Sequence, residues 1–154
     1  MRYIGLFAVA IAGWLALSEH VRALRADARE YGALGRLLRR IEEEITVLSR
    51  SPKSISKVLS ESDDADLCRL SCLICDPSFA MKLGIRDPKD KEKIFEYFTR
   101  LGHQTKEREI AEARSAAEYF ERLGAEKVKN CDKRTRVICT LYGAATVSVL
   151  IVLI

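Results

Sequence analysis

The chain has 154 residues, of which 31% are charged and only three are proline, and its net charge is +4. This balance excludes a largely disordered polypeptide and leaves enough chain for a compact domain with its own core. The positive charge concentrates in 19–40 and 122–136, whereas 41–121 is rich in acids. The basic stripe with interleaved aromatics that a nucleic-acid binder needs is therefore missing, and nucleic acid is not an expected partner.

Two apolar stretches flank the chain, Tyr3 to Leu17 and the uncharged run Val137 to Ile154. At about 1.5 Å of rise per helical residue the second reaches roughly 27 Å, against a bilayer core of about 30 Å. The expected organisation is thus an N-terminal transmembrane helix at 1–18, a helical insert at 19–136 and a C-terminal transmembrane helix at 137–154. Arg2, the apolar run and Ala16-Leu17-Ser18 also fit the outline of a cleavable signal peptide. Against cleavage stand Arg22, Arg25, Arg29, Arg36, Arg39 and Arg40, a flank that opposes translocation. Lys127, Lys129, Lys133, Arg134 and Arg136 precede the second run, so the positive-inside bias places the insert in the cytoplasm and both termini outside. Membrane lipid becomes an expected partner, because anionic headgroups attract such juxtamembrane cations. Small residues at four-residue spacing, Ala8, Ala12 and Ala16 in one run and Thr140, Ala144 and Ser148 in the other, would let the two spans pack closely; equally, small residues are simply common in membrane helices.

The insert reads as helix throughout. Leu34, Leu37, Leu38, Ile41, Ile45 and Leu48 recur at steps of three and four and line one face of a helix continuous with the first apolar run, with Glu42, Glu43 and Glu44 on a solvated face. Ser51-Pro52 opens a short helix through Leu59. Asp76-Pro77 opens a segment closed by Gly84, and Asp87-Pro88 opens one closed by Gly102. Asp64 to Cys75 supplies a further apolar turn or two. From about Thr105 a last long helix begins, with Glu107 and Glu109 complementing its dipole. Ala113, Ala117, Phe120, Gly124 and Val128 form its narrow apolar stripe, in which Gly124 is the weak point. The expected fold class is all-α, a cytoplasmic helical bundle between two terminal transmembrane helices.

Cys68, Cys72 and Cys75 have the C-x3-C-x2-C spacing of the cluster-binding motif in radical SAM enzymes, but that motif sits on a loop of a large α/β barrel, which a helical insert of this size cannot build. On a helix the three sulfurs lie beside Leu67, Leu70 and Leu73, as buried structural cysteines do. Zinc would need a fourth ligand, for which Cys131 is conceivable while His20 and His103 lie far off in sequence. A metal- or redox-active membrane protein using these cysteines is the rival reading, and no metal site is expected. Phosphate-loop, H-E-x-x-H and G-x-S-x-G motifs are absent. His103 is expected in an exposed loop. Neither catalytic activity nor a cofactor is expected.

Several pieces of the chain occur in a recognisable order. They are the glycine-containing first run with its basic flank, Gly13 to Arg29; the stretch Leu37-Leu-Arg-Arg-Ile-Glu-Glu-Glu-Ile45; the proline-led helix Pro52 to Leu59; Phe95-Glu-Tyr-Phe-Thr-Arg-Leu101-Gly102; and a basic run followed by Leu141-Tyr-Gly143 and an aliphatic tail. In this order the chain resembles the stage III sporulation protein AB family of endospore-forming bacteria along nearly its whole length. Glu109 departs from the pattern, standing where the family usually has glutamine, and Cys68 to Cys75 is not part of it.

The resemblance implies a non-catalytic membrane platform in the channel linking mother cell and forespore, a machine similar to secretion systems. It implies a cytoplasmic domain similar to that of the type II secretion system protein F, which docks the secretion ATPase. The implied partners are the cytosolic sporulation ATPase, stage III sporulation protein AA, and other channel proteins, with self-association open. A platform of an ordinary type II secretion or type IV pilus system is a further alternative. Lys89, Lys91 and Lys93 are the candidate partner-facing residues.

Overall fold

The computed structural model describes residues 2–153, with side chains described at 11, 14, 15, 18, 19, 21–142 and 144. The helices are α1 (Arg2–Leu48), α2 (Pro52–Ser60), α3 (Ala65–Leu70), α4 (Cys72–Cys75), α5 (Pro88–Arg100) and α6 (Lys106–Leu153), with a 3₁₀ turn at Pro77–Lys82 between α4 and α5. No strand occurs among the described residues, and the protein is all-α. It divides into two compact units, one made of Met1–Ala26 with Glu126–Ile154 and the other of Asp27–Ala125.

The two-span membrane localisation expected above is overturned, because among the described residues no helix is long and apolar enough to cross a membrane. Charge enters α1 at Glu19, Arg22 and Arg25, and α6 is charged through Arg136. The described stretches therefore fall short of the roughly 20 consecutive apolar residues that a helical span requires. Of the small-residue stripes, the side chains of Ala8, Ala12, Ala16 and Ser148 lie outside those described, while Thr140 and Ala144 are exposed. In that first unit Cys131 is buried, and Ile11, Trp14, Leu15, Val128, Val137 and Leu141 are exposed.

The unit Asp27–Ala125 is built on the apolar stripe of α1. Leu34, Leu37, Leu38, Ile41 and Ile45 are almost completely buried, each of the large side chains removing apolar surface worth roughly 1.5–3 kcal/mol. Leu48, expected on the same face, is 52% exposed. The helix stops there, with Ser49 in the left-handed region at φ 48°, and the face no longer continues. Against the stripe pack Ile55 and Leu59 of α2, Leu70 of α3, Leu73 of α4, Ile94 and Phe98 of α5, and Ala113, Ala117 and Phe120 of α6.

Sequence punctuation sets the short elements. Asp64 accepts hydrogen bonds from the amides of Asp66 and Leu67, Asp76 from Ser78, and Asp87 from Lys89, three acidic caps of which the latter two precede proline at the first helical positions. Gly102 follows α5 at φ 88°, and a β-carbon there would fall 2.8 Å from Cγ of Pro52. Only glycine suits both the backbone angle and the space.

Gly124, read above as a weak point of α6, is a point of close approach to α1. A β-carbon at Gly124 would sit 3.1 Å from the amide nitrogen of Gly32 and 3.4 Å from its Cα, and one at Gly35 would sit 3.2 Å from the amide nitrogen of Glu121. The two long helices thus meet backbone to backbone, which a larger side chain prevents. Gly124→Val should lower stability by about 1–3 kcal/mol through this overpacking, read as a lower midpoint in urea denaturation. A midpoint equal to that of the unaltered protein would mean that the helices separate without cost.

Candidate functional site

Charged residues expected to be solvated instead fasten α1 to its neighbours. Glu42 and Glu44 are buried, whereas Glu43 is exposed. Glu42 pairs with Arg39 and, at 2.7 Å, with Arg114 of α6; Glu44 pairs with Arg40 and, at 2.8 Å, with Arg50. Burial of these acids is tolerable because each carboxylate meets guanidinium groups on two sides. Glu42 stands four residues beyond Leu38 and Glu44 three beyond Ile41, on the two flanks of the leucine stripe, so helical spacing carried a signal for their burial, whereas Glu43 falls on the opposite face. Arg39 also binds Glu121 of α6 at 3.0 Å, and this hydrogen bond is the main reason that its guanidinium is held more firmly protonated than usual. Arg29 and Arg36 reach Asp66, while Glu30 accepts from Arg69 at 2.7 Å.

A polar cluster lies where α1, α5 and α6 meet. Asp90, on the apolar stripe of α5, is buried and accepts from Tyr31 Oη at 2.6 Å and from Tyr119 Oη at 2.9 Å, one hydroxyl on each carboxylate oxygen. Lys93 Nζ donates to Tyr119 Oη at 2.9 Å and lies 4.4 Å from the centroid of that ring. Burial, reinforced by the hydrogen bond to Asp90 and by the negative charges of Asp90, Asp27 and Asp87, pushes the Tyr31 phenol well above its ordinary value. The hydrogen bond from Lys93 to Tyr119 holds that ammonium more firmly protonated. Asp27, also buried, accepts from the Arg86 amide at 3.1 Å. Neither Asp27 nor Asp90 was singled out in the sequence. The one available signal was that Asp90 shares the three- and four-residue spacing of Ile94, Tyr97 and Phe98.

A groove of about 380 Å³ opens beside this cluster, lined by Lys93, Tyr97 and Arg100 from α5 and by Glu112, Tyr119 and Phe120 from α6. Tyr97 is 9% exposed, and its hydroxyl is buried without a hydrogen-bond partner. Burial first, and then the charges of Glu109 and Glu112, raise that phenol above its ordinary range.

The three predicted lysines differ in their surroundings. Lys89 is exposed, Lys91 Nζ is bound to the Met81 carbonyl at 2.9 Å, and Lys93 belongs to the Tyr119 cluster. The cysteines differ from expectation as well. Cys72 and Cys75 are exposed and Cys68 is half-buried, because Ser71 separates α3 from α4 and the three do not share one buried helix face. Cys68 Sγ donates to the Ser60 carbonyl, and Cys75 Sγ lies 3.3 Å from Ser56 Oγ. Among the described residues no group of three or more His, Cys, Asp or Glu is placed to hold a metal ion.

Of the family-motif positions, Leu101 packs on the core edge and Gly102 makes the turn described above. Glu109 Oε1 accepts from the Gly102 amide at 2.6 Å and the Gln104 amide at 3.4 Å, so the acid closes the turn before α6 without needing a basic partner. Leu141 is exposed, and the surroundings of Gly143 lie outside those described. No protein-family model matches the chain, and no curated protein or solved structure matches it either.

Replacing Asp90 by alanine removes the shared acceptor of two hydroxyls, and should cost about 2–4 kcal/mol in urea denaturation, more than Tyr31→Phe alone. The raised Tyr31 phenol sets a pH dependence. Below its ordinary value of 10.0 the phenol keeps its proton whether the chain is folded or not, and the stabilisation is complete. Above that pH the unfolded chain loses the proton while the folded chain holds it, so stability should fall with rising pH, more steeply in the unaltered protein than in Tyr31→Phe. Parallel stability curves for the two proteins above about pH 10 would contradict this origin.

Proposed function

We propose that this protein is a non-catalytic docking component of the channel between mother cell and forespore, similar to the stage III sporulation protein AB family. Its helical unit Asp27–Ala125 would receive the channel's ATPase, stage III sporulation protein AA. The type II secretion system protein F, whose helical domain receives an ATPase, is the architectural analogy.

What supports the reading is where three of the five ordered sequence pieces lie. Leu37 to Ile45 forms the central buried stripe, Pro52 to Leu59 forms α2 against it, and Phe95 to Gly102 ends at the turn where Gly102 abuts Pro52. These pieces converge on one unit whose long helices are joined by Arg39 to Glu121 and Arg114 to Glu42. Such bracing suits a docking body, which must carry load without changing its surface.

Copurification tests the reading. The full chain should retain the sporulation ATPase on an affinity resin and hydrolyse no ATP when alone. Lys89→Glu, at a side chain with little structural role, should reduce recovery about tenfold if this end of α5 faces the partner. Failure of the unaltered chain to retain the ATPase would remove the reading, whereas unchanged recovery of Lys89→Glu would remove only this surface.

A further inference from the structure

Cys72 and Cys75 are exposed thiols at the two ends of the single turn α4, and the function proposed above uses neither. The turn is held in place. Leu73, beside them, is completely buried in the core, and Ser71, which precedes them, is buried with its Oγ donating to the Cys68 carbonyl at 2.7 Å. The Ile74 amide closes on the Ser71 carbonyl at 3.1 Å and the Asp76 amide on the Cys72 carbonyl at 2.8 Å. The first of these bonds spans three residues, the 3₁₀ pattern, which brings side chains three apart toward eclipsing. Residues so spaced have α-carbons about 5 Å apart, within the roughly 4.4–6.8 Å that a disulfide bridges. The two sulfurs are not equivalent. Cys75 Sγ lies 3.3 Å from Ser56 Oγ of α2, whereas Cys72 Sγ has no hydrogen-bond partner among the described residues. Cys68 is half-buried with its Sγ on the Ser60 carbonyl at 3.2 Å, and Cys131 and the exposed Cys139 belong to the other unit.

We propose that Cys72 and Cys75 form a thiol-disulfide exchange site that takes low-molecular-weight disulfides. Cys72, exposed and uncommitted, is the point of entry. Its thiolate attacks one sulfur of the small disulfide and joins it, and the other half leaves as a thiolate that takes up the proton Cys72 has lost. Cys75 then leaves Ser56, gives up its own proton and attacks the Cys72 sulfur. The bond between the two protein sulfurs forms, and the second half of the small disulfide departs as a thiol. Two protein thiols are thereby oxidised by two electrons while one small disulfide is reduced to two thiols, and the reverse reaction restores the dithiol. Leu73 keeps the turn anchored throughout, because both sulfurs lie on its solvent side and the ring closes without disturbing the core. Cys68 is the poorer resolving group, since its thiol is turned to α2 and engaged by the Ser60 carbonyl.

The test is oxidation of the purified, reduced full chain by glutathione disulfide, quenched with N-ethylmaleimide and read by intact mass and peptide mapping. The unaltered chain should lose two alkylatable thiols and yield a peptide in which Cys72 and Cys75 are linked, and dithiothreitol should restore both. Cys75→Ser should stop at a glutathione adduct on Cys72. Cys72→Ser should react about tenfold more slowly and form no internal bond, whereas Cys68→Ser should form the bond as the unaltered chain does. A urea midpoint for each variant reports that it is folded. Thiols so close in sequence pair to some extent in any chain, so the equilibrium constant against glutathione is measured both in buffer and in denaturing urea. The folded turn should favour the bond by about tenfold or more, because it holds the two sulfurs near each other. Equal constants in the two conditions, persistent glutathione adducts on both cysteines with no internal bond, or a bond made through Cys68 would overturn the proposal. Disulfide-linked dimers as the main product on a non-reducing gel would overturn it too. Binding of the ATPase plays no part in these readouts, so the docking function and the exchange site stand or fall separately.

Discussion

Where α1 passes α6, at Gly32 and Gly35 on one helix and Glu121 and Gly124 on the other, main chain meets main chain. The rest of the unit Asp27–Ala125 depends on this approach. It lets Arg39 of α1 reach Glu121 of α6, Arg114 of α6 reach the buried Glu42 of α1, and the Tyr31 ring come within 6.1 Å of that of Phe120. With side chains of ordinary size at the glycines the helices would stand further apart. The carboxylate of Glu42 would then lose a guanidinium, and a buried charge without its partner is among the costlier faults a core can contain.

Close packing of the long helices also places their tyrosines around α5. Tyr31 from α1 and Tyr119 from α6 converge on a single buried carboxylate, Asp90, and the ammonium of Lys93 extends the chain of hydrogen bonds to the surface. A carboxylate is a sound choice for that position, because each oxygen accepts from a different helix and the group ties three elements through one residue. The same geometry leaves Tyr97, a turn further along α5, with its ring in the core and its hydroxyl unpartnered. Satisfied and unsatisfied phenols thus lie side by side, and the groove opens at the unsatisfied one.

The helices themselves were legible. Leucines and isoleucines at steps of three and four marked the buried face of α1, and Asp-Pro pairs marked where α5 and the preceding 3₁₀ turn begin. Much of the polar interior was not. Glu42 and Glu44 flank the leucine stripe, four residues beyond Leu38 and three beyond Ile41, but only the arrival of Arg114 and Arg50 makes those positions buried ion pairs. Cys72 and Cys75 show the converse. A continuous helix would have buried them beside leucines, but the break at Ser71 exposes both. The terminal apolar runs misled in another way, since an apolar stretch joined to a charged helix reads differently from one standing alone, and the expected spans are not found among the described residues.

Periodicity, proline placement and acidic caps are local properties, so the amino-acid order by itself determined that the chain is helical, where its short elements start, and which face of α1 is apolar. Partnership between distant residues is not local. That Gly124 is a contact rather than a flaw, that Asp90 gathers two tyrosines, and that Lys93 and Arg100 border a groove with an unpartnered phenol were decided only by the tertiary structure, because each depends on how closely separate helices approach.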